Sequence, residues 1–449
     1  MTQMIYPTTN FTAVEQLQLE RGEGVYVFDK QGKRYLEGMA GLWCTALGYG
    51  NQELVDTAAE QMAKLPYSSL FGGKTHGPGM ELADRLSAMV PMDRARVFFG
   101  NSGSDANDTH LKLLRYYANA IGKPERRKII TRERAYHGVT LASGGLTSLP
   151  ANLAHFDAPL EALGILRTDH PHYYHGRQGQ ESEAEFVARI VDNLERLILA
   201  EGPETIMAFI AEPITGASGV IVPPEGYYEA LLPVLNKYGI LFWSDEVICG
   251  FGRTGRDFGV NTMGIGQPDM MTFAKQLSSA YFPISASLIR GDLYEAMVDQ
   301  CAEVGVFGHG YTYSGHPVGC AVALKALEIY ERDDIFAQAA VKGEYLQAQL
   351  KSFAEHELVG EVRGRGLIAA IEISADKTTR AGLPPAVANY LAKACQDHGV
   401  IVRAVAGNSI ALCPPLIISE AQIDEMLDGI ANGLAQTLEH VRQEGLLAA

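Results

Sequence analysis

Short apolar runs alternate with longer stretches of helical period through the middle of the chain. Runs at 96–100, 128–131, 206–211, 240–244, 270–273 and 284–289 read as buried strands. Between them, segments such as 104–121, 183–200 and 226–238 repeat apolar residues at helical spacing. Strands and helices in alternation predict an α/β fold with a largely parallel sheet. The opening differs: residues 24–28 and 33–37 flank Asp29-Lys30-Gln31-Gly32 and read as a β-hairpin. After about residue 330 the pattern turns to helix, then short strands at 367–373 and 400–404, then a closing helix at 420–443. These shifts predict a large central domain, 66–328, and a smaller α+β domain built from both ends, 1–65 and 329–449.

Composition narrows the class. Of 449 residues, 47% are apolar and 20% charged, the balance of a globular protein with a sizeable core. Lys and Arg number 37 against 53 Asp and Glu, a net charge of −16. That acidity argues against nucleic acid or an anionic membrane as the main partner. No stretch approaches the roughly 18 apolar residues of a spanning helix. The segment Met1–Pro7 lacks the basic start and apolar run of a secretory signal. Six cysteines without a C-x-x-C pair read as reduced thiols, and a cytoplasmic location is expected. In that setting Asn10-Phe11-Thr12 and Asn107-Asp108-Thr109 are chance matches to the glycosylation pattern.

Two strand ends carry the chemistry. Lys275 closes the apolar run 270–274, and Asp245 closes 240–244. An amine able to form a Schiff base and a carboxylate able to hold a pyridinium proton are what a pyridoxal phosphate enzyme needs. Residues 97–108 read as a strand, a small polar turn and a helix start, where free backbone N–H groups suit a phosphate. An ordinary cap by Ser102 or Ser104 explains the same residues. Tyr136-His137-Gly138 places an aromatic after a strand, where it can stack on a planar ring or simply pack. Glu212 follows the run 206–211, at the strand end where α/β sheets place ligands. Gly250 to Gly255 matches G-x-G-x-x-G, yet no convincing helix follows. A tight, mobile loop explains it better than a dinucleotide site. The run Asp169 to His175 is rich in His, but its spacing matches no metal framework, so no metal is expected. No G-x-S-x-G elbow points to a serine hydrolase.

In their order and spacing these segments resemble the class III aminotransferases, pyridoxal phosphate (PLP) enzymes of fold type I. The nearest resemblance is to the omega-aminotransferases of the amine–pyruvate and β-alanine–pyruvate group. Gly41-Leu42-Trp43-Cys44, Glu212-Pro213-Ile214, Asp245-Glu246-Val247, Ala274-Lys275, residues 311–317, 362–367 and 413–416 carry it. The resemblance implies that Lys275 forms the Schiff base and shuttles a proton, and that Asp245 pairs with the pyridinium nitrogen. Val247 and Tyr136 would cover the two ring faces, Gly103 and Ser104 would bind the phosphate, and Glu212 would support the network near Asp245. Thr312 would reach the cofactor phosphate of a partner subunit, which implies a homodimer with shared sites, possibly paired into a tetramer. For substrate, the resemblance points to Trp43, Tyr136, Ala217, Tyr311 and Arg403, the last as a mobile arginine that binds a carboxylate or swings away. Asp105 stands where the family usually has Glu, and Gln276 where many relatives have Gly. Neither change removes a catalytic group. The activity implied is transfer of an amino group from an amine or ω-amino acid to pyruvate by a ping-pong route through pyridoxamine phosphate. Alternatives are 2-oxoglutarate as acceptor with 4-aminobutyrate or a diamine as donor, an aminomutase, or a catalytically silent relative.

Overall fold

The computed structural model describes residues 3–12 and 16–447. Near the start, β1 (Leu19–Glu23), β2 (Tyr26–Asp29) and β3 (Arg34–Glu37) form an antiparallel meander. Its β2–β3 arm is the predicted hairpin, with β1 added at the edge.

The central sheet comprises β4 (Arg96–Gly100), β5 (Lys128–Arg132), β6 (Ile165–Thr168), β7 (Ile206–Ala211), β8 (Leu241–Asp245), β9 (Met270–Phe273) and β10 (Ser285–Ile289). Their spatial order is β4-β10-β9-β8-β7-β5-β6. Every neighbouring pair is parallel except the two made by β10. Every residue of β7 and β9 is buried, because helices cover both faces of the sheet. Unbroken apolar runs are what such strands require, which is why they were legible. Parallel direction sends the carboxyl ends of β4, β5, β7, β8 and β9 to one edge, so residues that follow them meet there.

Three helices match the periodicity closely: Gly103–Ala120, Glu183–Glu201 and Tyr227–Lys237. The closing helix runs Glu420–Gln443, started by a capping box between Ser419 and Gln422. Gly433 lets it approach the Pro385–Asp397 helix closely; a Cβ there would lie 2.7 Å from Cys395 Sγ.

Two further sheets lie outside the central one, and the first of them joins the chain ends. β14 (Val400–Ile401) pairs in parallel with β3. β11 (Val359–Arg365), β12 (Ile368–Asp376), β16 (Ser409–Leu412) and β15 (Arg403–Val405) form the third sheet, with β13 (Ala381–Gly382) on β12. The single strand expected at 400–404 is thus two strands. The chain leaves one sheet for the other at Val402, and this turn aims Arg403 inward. Strands β1, β6, β11 and β16 were not anticipated. β6 is a four-residue edge ending in Arg167 and Thr168, and β11 interleaves Glu361, Arg363 and Arg365 with glycines, so neither shows an apolar run.

The Gly250–Gly255 loop is tight, as expected, with positive φ at Gly252 and Gly255. It is buried, and Arg253 Nη1 donates to the carbonyls of Leu367 (2.9 Å) and Pro414 (2.6 Å). Among the described residues no helix is long and apolar enough to cross a membrane.

Candidate active site

The shared strand edge encloses a cavity of about 320 Å³. Lys275 and Asp245 line it from β9 and β8, Gly103 and Ser104 from the helix that follows β4, and Tyr136 and Glu212 from the ends of β5 and β7. Lys275 also lines a second cavity of about 860 Å³ beyond Tyr136. The lysine sits at φ 49°, a region few residues other than glycine occupy, opening a single turn, Lys275–Ser278. Enclosure pushes its amine pKa down, while Asp245, Cys44 and Glu212 pull the other way without restoring it.

Asp245 is held at every lone pair the chain can reach. Its Oδ2 accepts from His137 Nδ1 (2.8 Å) and Asn107 Nδ2 (3.0 Å), and its Oδ1 from the Val247 N–H (3.1 Å). Burial works to raise its pKa, but the His137 bond and charge, the Asn107 amide and the Val247 N–H outweigh burial, and the carboxyl lies below its usual value.

The donors are oriented by a one-way relay. Trp243 Nε1 can only donate, and it donates to Thr272 Oγ1 (2.8 Å). Thr272 therefore gives its own proton to Asn107 Oδ1 (2.8 Å). That fixes the amide so that Nδ2 faces Asp245 and the His137 carbonyl (2.7 Å). Replacing Thr272 with Val keeps the shape but orphans Trp243 Nε1 and Asn107 Oδ1. Two buried polar groups left unpaired should cost about 2–5 kcal/mol. Urea unfolding at neutral pH measures this, and a loss below about 0.5 kcal/mol, well short of one orphaned group, would refute the relay.

Glu212, expected to support the network near Asp245, bonds to backbone beside it and not to Asp245 itself. Its Oε1 accepts from the Tyr136 N–H (3.1 Å) and its Oε2 from the Gly216 N–H (2.8 Å), so it ties the aromatic wall to the next loop. Burial raises its pKa, with Asp245 adding to the effect and His137 opposing it. At the helix start the cap is Ser102, closed reciprocally by Asp105. Asp105 still completes the box although it is one methylene shorter than Glu. With Ser102 occupied, Gly103 and Ser104 are left facing the cavity, and Ser104 Oγ accepts from the Val139 N–H (3.2 Å). A Cβ on Gly103 would lie 3.1 Å from Val247 Cγ2, so a side chain there would crowd the floor that Val247 provides.

The larger cavity gathers Trp43, Tyr136, Ala217 and Arg403 with Lys275. Trp43 is buried at φ 58°, and the Arg403 guanidinium stands 5.3 Å from its ring centroid. Among the described residues Arg403 makes no salt bridge. Burial lowers its pKa.

Tyr311 and Thr312 do not reach either cavity of their own chain. Tyr311 OH donates to the Asp105 carbonyl (3.0 Å) on the outer side of the Gly103–Ala120 helix, and Thr312 is exposed. Sequence reasoning singled out neither Asn107 nor Thr272. Asn107 follows Gly103 by four positions and so shares its helix face, a signal that was available. Thr272 lies inside an apolar strand, and nothing local distinguishes it. The histidine-rich run does converge: ligand atoms of His172, His175 and Glu372 lie within 4.8 Å of one another.

The cavity fits PLP on the chemistry of its donors. A carboxylate stands ready for the ring nitrogen, an amine for the aldehyde carbon, and an uncluttered helix start for the phosphate. A mostly parallel sheet with these groups at its carboxyl edge defines a PLP-dependent transferase of fold type I. Residues 9–434 match the family described as aminotransferase class-III, and the chain belongs to it. Gamma aminobutyrate transaminase 1, mitochondrial, from Solanum lycopersicum is 45% identical over 435 residues, covering 96% of this chain and 84% of that protein. A probable gamma-aminobutyrate transaminase 2, mitochondrial, from Oryza sativa subsp. indica is also 45% identical, over 96% of this chain and 87% of that protein. The crystal structure of the omega transaminase from Pseudomonas jessenii in complex with PMP superposes with a TM-score of 0.94. It is 48% identical and covers 98% of this chain and 97% of that one. The protein is a PLP-dependent transaminase.

Proposed function

We propose that this transaminase moves an amino group from a primary amine or ω-amino acid to pyruvate by a ping-pong mechanism. One observation carries the reading: Arg403, without an ion-pair partner among the described residues, lies against Trp43 in the cavity that Lys275 also lines. A guanidinium with no internal partner can bind a carboxylate bidentately, and can turn away when the amine has none. Lys275 and Arg403 are the Lys and Arg side chains lining the two cavities among the described residues. Lys275 is committed to chemistry, which leaves one cation for one carboxylate. That arithmetic favours pyruvate over 2-oxoglutarate, whose second carboxylate would need another partner.

Bound in the smaller cavity, PLP supplies the electron sink for the charge left when the amine loses its α-proton. Lys275 Nζ, depressed by burial, is the base that takes that proton and later returns one. Asp245, held ionised by His137, Asn107 and Val247, would hold a proton on the ring nitrogen of the bound group. Tyr136 lines both cavities and would stand between the cofactor and the side chain of the amine.

A second reading is a 4-aminobutyrate transaminase using 2-oxoglutarate, favoured by the names of the tomato and rice relatives. Initial rates with one amine and a keto-acid panel separate the two. Pyruvate should exceed 2-oxoglutarate by at least about tenfold in kcat/KM, the worth of one unpaired charged hydrogen bond. The reverse order would sink the pyruvate assignment.

The same reading takes the working unit as a homodimer, with Thr312 completing a partner's site. It is supported by the exposure of Thr312 beside the exposed aromatics Tyr67, Phe71 and Tyr313. Light scattering should give at least twice the 48.7 kDa chain mass. A monomer at micromolar concentration would refute it. A large domain at 66–328 and a cytoplasmic location are parts of this reading, the latter supported by six free cysteines.

A further inference from the structure

We propose that Arg134 and Arg363 are positioning residues. They fix the Ala217 loop against the turn that follows Arg403, and so set how well the enzyme accepts amines that carry a carboxylate. The proposal rests on the transaminase reading of the larger cavity.

The Ala217 loop is short and anchored at both ends. Thr215 and Ile221 exchange backbone hydrogen bonds at its neck. Glu212 holds the Gly216 N–H on the side of the smaller cavity. On the other side two successive carbonyls point at guanidinium groups. Ser218 O accepts from Arg134 Nη2 (3.1 Å), and Gly219 O accepts from Arg363 Nε (2.8 Å). Both arginines also abut the turn between β15 and β16. Arg363 Nη2 donates to Ser409 Oγ (3.0 Å), and a Cβ on Gly407 would lie 2.5 Å from Arg134 Nη2. The two loops thus meet through the two arginines, and each loop lines the cavity with Arg403.

The arginines are themselves oriented from behind. Arg363 Nη1 pairs with Glu361 (2.5 Å) and Glu372 (2.6 Å). Arg134 Nη1 points at His172 Nδ1 (2.9 Å). A guanidinium cannot accept, so Nδ1 is the acceptor and His172 carries its proton on Nε2, donated to Glu361 (2.8 Å). His175 pairs with the remaining oxygen of Glu372. With Glu361 counted, the cluster around His172 and His175 holds two carboxylates, and the guanidinium groups of Arg363 and Arg134 balance them. A divalent cation would have to displace them, which is why the cluster reads as a brace and not a metal site.

Arg134→Met removes one brace while leaving Arg363 paired with both Glu361 and Glu372. Ser409→Ala is the milder companion: it deletes the acceptor of Arg363 Nη2 and the long bonds that Ser409 Oγ makes to Glu372 and the Gly407 carbonyl (both 3.4 Å), and leaves every charge in place. With pyruvate as acceptor, KM for 4-aminobutyrate should rise at least about fivefold in Arg134→Met with kcat little changed. KM for 1-phenylethylamine, which has no carboxylate, should change less than about twofold. Hydrogen exchange should speed up in both 214–221 and 403–410, and stay unchanged in 241–250. Ser409→Ala should shift the same quantities in the same direction by less. Equal losses for both amines, or exchange unchanged in either loop, would overturn the proposal. If the wild-type enzyme turns over neither amine with pyruvate, the functional reading fails, and the exchange measurement still decides the brace.

Discussion

Replacing Lys275 with Met should lower transamination by at least about 10⁴-fold, the upper range for one positioned proton-transfer group. The visible absorbance of the lysine-bound cofactor should vanish with it. Retained turnover above that level would overturn the assignment of Lys275. The same variant should be more stable than the wild type when both are freed of cofactor. The folded state lowers the lysine pKa, so the charged amine costs stability wherever it is protonated in both states. That cost is fully present below the depressed folded value and is relieved as pH rises from there toward the ordinary 10.5. Methionine fills similar volume without a charge to desolvate. A higher melting temperature beside lost activity separates a functional lysine from a structural one.

Asp245→Asn should be the second most damaging change, lowering kcat by about 10²–10⁴-fold, as loss of an acid–base or electrostatic group does. In either orientation the isosteric amide turns its N–H toward a group that already donates, His137 and Asn107 on one side or Val247 on the other, so at least one donor loses its acceptor. Breaking this buried arrangement should also cost about 3–5 kcal/mol. The pH sign follows from the lowered pKa of Asp245. Its stabilising contribution is present above the ordinary carboxyl value of 3.8 and is lost as pH falls through the lower folded value. Acid unfolding of Asp245→Asn should therefore be less steep below about pH 4 than that of the wild type, whose aspartate must take up a proton there. Superimposable acid-unfolding profiles, or kcat within about tenfold of wild type, would refute the role given to Asp245.

The parts of the site that were legible lie at the ends of apolar runs. Lys275, Asp245 and Glu212 each follow a buried strand, and a parallel sheet covered on both faces demands such runs. The helix start at Gly103 was legible for a similar reason, since a capping box is local in sequence. The strand with Arg363 was not legible. β11 is made by pairing with β12, and its charged residues are satisfied by partners elsewhere in the chain.

The sequence by itself determined the reaction class. Residues that do chemistry on a cofactor sit at fixed places relative to strand and helix ends, and those ends are written locally. Only the tertiary structure decided how these residues are held. Asn107 meets Asp245 across 138 positions, Thr272 meets Asn107 across 165, and Arg363 meets Gly219 across 144. Hydrogen bonds are short and directional, so their partners are set by which strands lie side by side. The turn at Val402, which moves the chain from one sheet to another, aims Arg403 into the cavity for the same reason.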